Sequence, residues 1–164
     1  MKSTLTTEGE GYGYNTAMLP NYDGFIIIKP GFLGYTDDVI KDLCRLDFTV
    51  IEAKEKTLTK EEAEVIYNVH KGKPFYEKLI RYITSGPCIG MLVLSPFADK
   101  DSSIETLKQL KEKYRKRYSI DKTHNVMHSS DSYQNVLYEA EAFFGLGFWA
   151  VGIWSLLTIQ ARCF

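Results

Sequence analysis

Residues 88–94 read Cys-Ile-Gly-Met-Leu-Val-Leu, an unbroken apolar run that follows a Ser85-Gly-Pro87 turn. A run this short and this apolar predicts a buried strand at the centre of a sheet. Gly24-Phe-Ile-Ile-Ile-Lys-Pro30 reads in the same way, with isoleucines stopped by a proline and Lys29 at the strand's end. The segments around these two strands alternate in period. Thr36–Leu46 places Val39, Ile40, Leu43 and Leu46 at helical spacing, with Thr36 as a candidate N-cap. Phe48–Ala53 is rich in β-branched residues and predicts a strand. Thr59-Lys-Glu-Glu62 is a capping box opening a helix through about His70, and a short helix follows over Phe75–Ile83.

Ser103–Arg117 predicts a charged helix with a narrow stripe of Ile104, Leu107, Leu110 and Tyr114. A short strand near Asn125–Met127 and a helix over Ser132–Phe144 close the pattern. The order β-α-β-α-α-β-α-β-α indicates an α/β or α+β sandwich with helices covering one open sheet. At this size the split βαβ, ferredoxin-like topology is the natural candidate.

Composition supports one globular domain. The chain has 164 residues, 45% hydrophobic and 25% charged, and a net charge of −1. It is long enough to bury a core without staples, and its composition excludes wholesale disorder. The charge balance argues against a dedicated nucleic-acid binder. Cys44, Cys88 and Cys163 are odd in number and lack paired spacing, which argues against a disulfide scaffold or a zinc site. A reducing compartment, the cytoplasm, is expected. Residues 1–22, rich in Ser, Thr and Gly, read as a flexible leader without a signal-peptide core. The 20 residues from Ala142 to Ala161 carry no charge. We therefore expect a folded domain over 23–144 and an apolar tail over 145–164. That tail is open to a membrane anchor or a packing segment.

No phosphate-binding glycine loop, HExxH, paired CxxC or GxSxG occurs. The most informative segment is Asn125-Val-Met-His128-Ser-Ser-Asp-Ser132. A neutral imidazole is a competent nucleophile near pH 7 and carries a phosphoryl group reactively. Glu139, one helix further on, is placed to orient such a ring, and Ser129 and Ser130 to donate hydrogen bonds. On periodicity alone, a structural histidine beside a capped helix is the stronger reading. Lys29 alone reads as a solvated lysine at a strand end. The helix whose Lys108–Arg117 half carries six cations in ten residues reads as a solvated face, a phosphate site or a nucleic-acid contact. His70 and His124 read as surface residues.

Taken together, these residues resemble the nucleoside diphosphate kinases over about Asp23–Phe144. The anchors occur in family order: Ile26–Pro30, Tyr67 ahead of Lys73-Pro-Phe-Tyr76, Tyr82–Met91, Arg115, then Asn125–Ser132 and a helix bearing Glu139. The resemblance implies an α+β ferredoxin-like βαββαβ core. It implies ping-pong transfer of the γ-phosphate of a nucleoside triphosphate such as ATP to a nucleoside diphosphate through phosphohistidine. His128 matches the nucleophile, Glu139 the carboxylate that orients it, and Ser130 the serine beside the transferred phosphate. Lys29, Tyr67, Arg115 and Asn125 match phosphate and ribose contacts, and Phe75 the aromatic on which the base stacks. Stacking accepts any base, because every base has a π face. Mg2+ would be held through the nucleotide phosphates, with no protein metal ligands. A homo-oligomer (hexamer, tetramer or dimer) is implied, and no specific nucleic-acid partner is expected. Any membrane contact would run through the 145–161 tail.

The sequence also departs from the family pattern. The interval from Pro96 to Tyr114 is shorter and lacks a second arginine, leaving Lys108 or Lys111 as replacement cations. Ser129 stands where a glycine is usual, Lys73 where an arginine is usual, and Lys122 where a hydrophobic residue faces the base. The alternative these departures leave is a weak or inactive member serving as a nucleotide-binding or scaffold module, for example in a cilium or flagellum.

Overall fold

The computed structural model describes residues 22–145; residues 1–21 of the expected leader and the tail beyond Gly145 lie outside the described residues. Its elements are β1 (Gly24–Ile28), α1 (Thr36–Arg45), β2 (Thr49–Lys56), α2 (Lys60–Ile66), α3 (Tyr76–Ile83), β3 (Cys88–Leu94), α4 (Lys100–Tyr118), β4 (Met127–Ser129) and α5 (Tyr133–Phe144). The strands form one antiparallel sheet in the order β2-β3-β1-β4. β3 thus lies between β1 and β2, which is the split βαβ arrangement of a ferredoxin-like α+β fold.

The two inner strands are apolar throughout because both faces of the sheet are covered. Phe25, Ile27, Cys88 and Leu92 pack on one face with residues of α2, α3 and α5, including Ile66, Ile80, Val136 and Phe143. Ile26, Ile28, Met91 and Val93 pack on the other with Val39 and Leu43 of α1 and Leu107 and Leu110 of α4. Burial at roughly 25 cal/mol per Å2 of apolar surface makes this double layer the main source of stability.

Local chemistry explains the element ends. The Thr59 hydroxyl accepts from the Glu62 amide while the Glu62 carboxylate accepts from the Thr59 amide, the expected capping box. α2 nevertheless stops at Ile66, and a 3-10 turn over Asn68–His70 replaces the expected helix to His70. Asn68 and Val69 are weak helix formers, and the tighter turn buries Tyr67. Thr36 is not the N-cap of α1. The chain enters that helix through a 3-10 turn at Leu33–Tyr35, and the Thr36 hydroxyl donates to the Leu33 carbonyl at 2.7 Å. α4 starts at Lys100, three residues early, because Asp99 caps the Ser102 amide. The last strand lies at 127–129 rather than 125–127, because the Asn125 side chain donates back to the Lys122 and Thr123 carbonyls and closes a turn there.

No helix among the described residues is long and apolar enough to cross a membrane.

Candidate active site

His128 occupies the middle of β4, opposite Ile27 of β1, and is 6% exposed. The two-residue period of a strand turns its side chain away from Met127 and toward α5. Ser132 caps α5 by accepting from the Asn135 amide, and this sets the helix phase. Glu139, two turns in and 4% exposed, then faces the imidazole. His128 Nε2 lies 2.6 Å from Glu139 Oε2, and the Ser130 hydroxyl donates to the same oxygen at 2.7 Å. An ionised carboxylate only accepts, so Nε2 carries the proton and the Nδ1 lone pair is left bare. Among the described residues nothing hydrogen-bonds Nδ1. Ser130 therefore acts on the carboxylate that orients the ring.

Lys29 follows β1 and is 2% exposed. Its side chain shares the sheet face of Ile27, the face on which His128 stands. The ammonium lies 5.8 Å from the Tyr67 ring centroid and 6.0 Å from that of Tyr82. Burial, and then the positive charges of Arg115 and Lys111, push its pKa down to about 7. Among the described residues it makes no ion pair. The Tyr67 ring meets the His128 ring edge-on at 5.1 Å. Burial, and next the Glu139 charge, hold its phenol pKa well above the usual value. Arg115 donates from Nε to the Met127 carbonyl at 3.2 Å, which brings its fork beside β4.

The Tyr67 hydroxyl, whose ring meets that of His128, is buried without a partner, and so is Asn125 Oδ1, three residues before the histidine; the bare Ser129 Oγ shares the opposite sheet face with Ile26. Buried polar groups are almost always satisfied, so the unmet Tyr67 hydroxyl beside the ring is a mark of where a polar ligand belongs. A bare Nδ1, a buried lysine and an arginine fork beside β4 are the groups that suit an anion attacked by a nitrogen nucleophile.

Phe75, at the N-terminal end of α3, is 42% exposed, an unusual position for so large an apolar ring. It packs against His70 at 5.6 Å, and the Lys73 ammonium stands 6.0 Å from its centroid. His70 is not the simple surface residue expected: its ring stacks on Tyr67 at 6.3 Å, between that residue and Phe75. Burial, then the Lys73 charge, lowers its pKa. His124 sits against the Tyr82 ring at 4.4 Å and pairs with Asp121.

Two residues join the site that sequence reasoning left aside or underweighted. Lys111 is buried and donates to the Ser129 carbonyl at 3.3 Å and to Asp131 at 3.0 Å. Its place on the apolar side of α4, four residues before Arg115, was the available signal. Asp131 was hidden within the serine-rich loop. Burial raises its pKa, but hydrogen bonding from Lys111 and the Lys111 charge outweigh this and leave it lowered.

The family model for nucleoside diphosphate kinase matches residues 23–147. The nucleoside diphosphate kinase of Hyperthermus butylicus is 34% identical over 132 residues, covering 73% of this chain and 89% of that protein. The Ignicoccus hospitalis nucleoside diphosphate kinase is 34% identical over 131 residues, covering 73% and 86%. Among solved structures, the Aquifex aeolicus nucleoside diphosphate kinase superposes with a TM-score of 0.62 at 24% identity, covering 74% of this chain and 94% of that one.

Proposed function

Since the chain belongs to the nucleoside diphosphate kinase family, we propose that it relays the γ-phosphoryl group of a nucleoside triphosphate through His128 Nδ1 to a nucleoside diphosphate. The observation that carries this assignment is the 2.6 Å contact of Glu139 with His128 Nε2, which leaves Nδ1 as the free nucleophile.

In the first half-reaction the Nδ1 lone pair attacks the γ-phosphorus. The N–P bond forms as the bond to the β,γ-bridging oxygen breaks, and the diphosphate leaves with that electron pair. The Nε2 proton stays on the ring throughout. The positive charge that develops on the imidazole is offset by Glu139, whose oxygen is held in place by Ser130. In the second half-reaction a terminal oxygen of a new diphosphate attacks the same phosphorus, and the imidazole departs neutral. One pocket serves both steps.

Lys29 and Arg115 hold the phosphates as point charge and fork respectively. Asn125 Oδ1 and the Tyr67 hydroxyl both lack partners; the first can accept from a ribose hydroxyl and the second can donate to a phosphate oxygen. The half-exposed Phe75 ring stacks the base. Among the described residues no group of three His, Cys, Asp or Glu could hold a metal ion together. The site's cations suit phosphate oxygens, so magnesium would arrive on the nucleotide. When bound there it offsets charge on the β- and γ-oxygens. We assign this activity to residues 23–144, acting in the cytoplasm as a homo-oligomer.

The test is incubation with γ-labelled ATP. An acid-labile, base-stable phosphoprotein that is discharged by several nucleoside diphosphates and absent in His128→Ala is expected. A wild type that takes no label overturns the assignment.

A further inference from the structure

The Val126 carbonyl accepts from the Lys29 amide, so it points into the sheet toward β1. Strand alternation then turns the Met127 and Ser129 carbonyls outward, off the open edge of β4. Both are taken by α4. Arg115 Nε reaches the Met127 carbonyl at 3.2 Å and Lys111 Nζ the Ser129 carbonyl at 3.3 Å. The two cations sit one helical turn apart and clasp the carbonyls on either side of the nucleophile.

Lys111 is poorly explained as a structural residue. Its side chain is 8% exposed, while that of its partner Asp131 is 54% exposed. A carboxylate half in water returns little to an ammonium that has given up its own hydration. An ammonium has three donors, and the described residues take two of Lys111's. Burial, and then the charges of Arg115 and Lys111, depress the pKa of Lys29, so each of the three cations feels the others' charge. A polyanion bound among them would remove their mutual repulsion.

We propose that Lys111 is a phosphate-binding residue, whose ammonium exchanges the Asp131 carboxylate for a nucleotide phosphate oxygen while keeping the Ser129 carbonyl. Asp131 is then a stand-in anion that holds the ammonium in place until a nucleotide displaces it. This assignment rests on the kinase reading for the identity of the ligand.

The test is the affinity for ADP, measured by titration calorimetry in EDTA on the full chain, with adenosine as the phosphate-free control. Lys111→Met is expected to bind ADP about tenfold more weakly, the size of one charged hydrogen bond. Lys111→Arg keeps ADP affinity close to that of the wild type, and adenosine affinity is the same in every variant. Asp131→Asn is expected to bind ADP more tightly, because the competing anion is gone. A purely structural ion pair predicts instead that Asp131→Asn weakens binding as Lys111→Met does. That result, or wild-type ADP affinity in Lys111→Met, overturns the proposal. Should Lys111→Met not fold, Asp131→Asn decides alone: unchanged or weakened ADP binding overturns it. A wild type that binds ADP but takes no label from ATP sinks the kinase reading separately.

Discussion

Glu139 Oε2 sits 2.6 Å from His128 Nε2 across the gap between the edge strand β4 and the last helix α5. The tautomer of His128 is therefore set by where α5 packs. The carboxylate is buried and accepts two donors through one oxygen, His128 Nε2 and the Ser130 hydroxyl. In Glu139→Gln the amide oxygen still accepts from Nε2, so the ring keeps its orientation, but the charge that offsets the phospho-imidazole is gone. Phosphohistidine formation in single-turnover labelling should slow by about 10–100-fold, with ADP affinity little changed. Equal losses in affinity and labelling rate would show instead that Glu139 shapes the pocket as a whole.

Lys29 gives a pH signature. Its pKa is pushed down from 10.5 to about 7, first by burial and then by Arg115 and Lys111. Between those values the folded chain holds fewer protons on this group than the unfolded chain does. Stability should therefore rise as pH climbs from about 7 toward 10.5. Phosphate needs the protonated form, so ADP binding at about pH 8.5 should take up nearly one proton. Calorimetry in buffers of different ionisation enthalpy reads this directly. Lys29→Met should abolish the uptake and melt at a higher temperature than the wild type below pH 7.

How much of this was legible in the sequence depended on the range of the interaction. Strands such as 24–28 and 88–94 were legible because burial on both faces leaves an unbroken apolar run. The capping box at Thr59 was legible because it is complete within four residues. Thr36 was misread because the 3-10 turn before it, and so the free Leu33 carbonyl, has no sequence pattern of its own. In the site, His128, Glu139 and Lys29 stand out only through the motifs around them, because read singly His128 passes for a structural histidine and Lys29 for a solvated lysine. Lys111 is a lysine in a run of cations, and only its place on the apolar side of α4, in line with Ile104, Leu107 and Tyr114, sets it apart in the sequence. What it touches, the Ser129 carbonyl 18 residues away, has no pattern within the helix.

Asp42 is the hub of a second polar cluster, on the opposite face of the sheet. It accepts from Arg45 and Lys113, each at 2.8 Å, and from the Tyr114 hydroxyl at 2.9 Å. Burial raises its pKa, but the hydrogen bonds from Lys113, Tyr114 and Arg45 outweigh that and leave it lowered. A lowered carboxylate pKa contributes stability above about 4 that is lost as pH falls through the folded value. Asp42→Asn should cost about 1–2 kcal/mol in urea unfolding at pH 7. Near pH 3 the difference from the wild type should shrink. A constant difference across both pH values would mean that the cluster acts through packing and not through charge.

Gly90 ties the fold to the site. It lies in β3 opposite Ile27, and Ile27 lies opposite His128, so the three form one row across the sheet. A Cβ on Gly90 would stand 2.4 Å from Phe143 Cε1 and 2.6 Å from two further ring atoms. Phe143 is fully buried in the last turn of α5, packed on Phe25 at 5.6 Å, and has no exposed side to retreat toward. Gly90→Ala must therefore push the end of α5 off the sheet, at a cost of about 1–3 kcal/mol for overpacking. The same helix carries Glu139, so the displacement should reach His128. Phosphohistidine formation should fall even at temperatures where the variant is fully folded. Phe143→Leu, which shortens the obstructing side chain, should restore part of both stability and labelling in the double variant, beyond the sum of the single changes. If Gly90→Ala melts with the wild type and labels at the same rate, the row from β3 through β1 to β4 does not position the nucleophile.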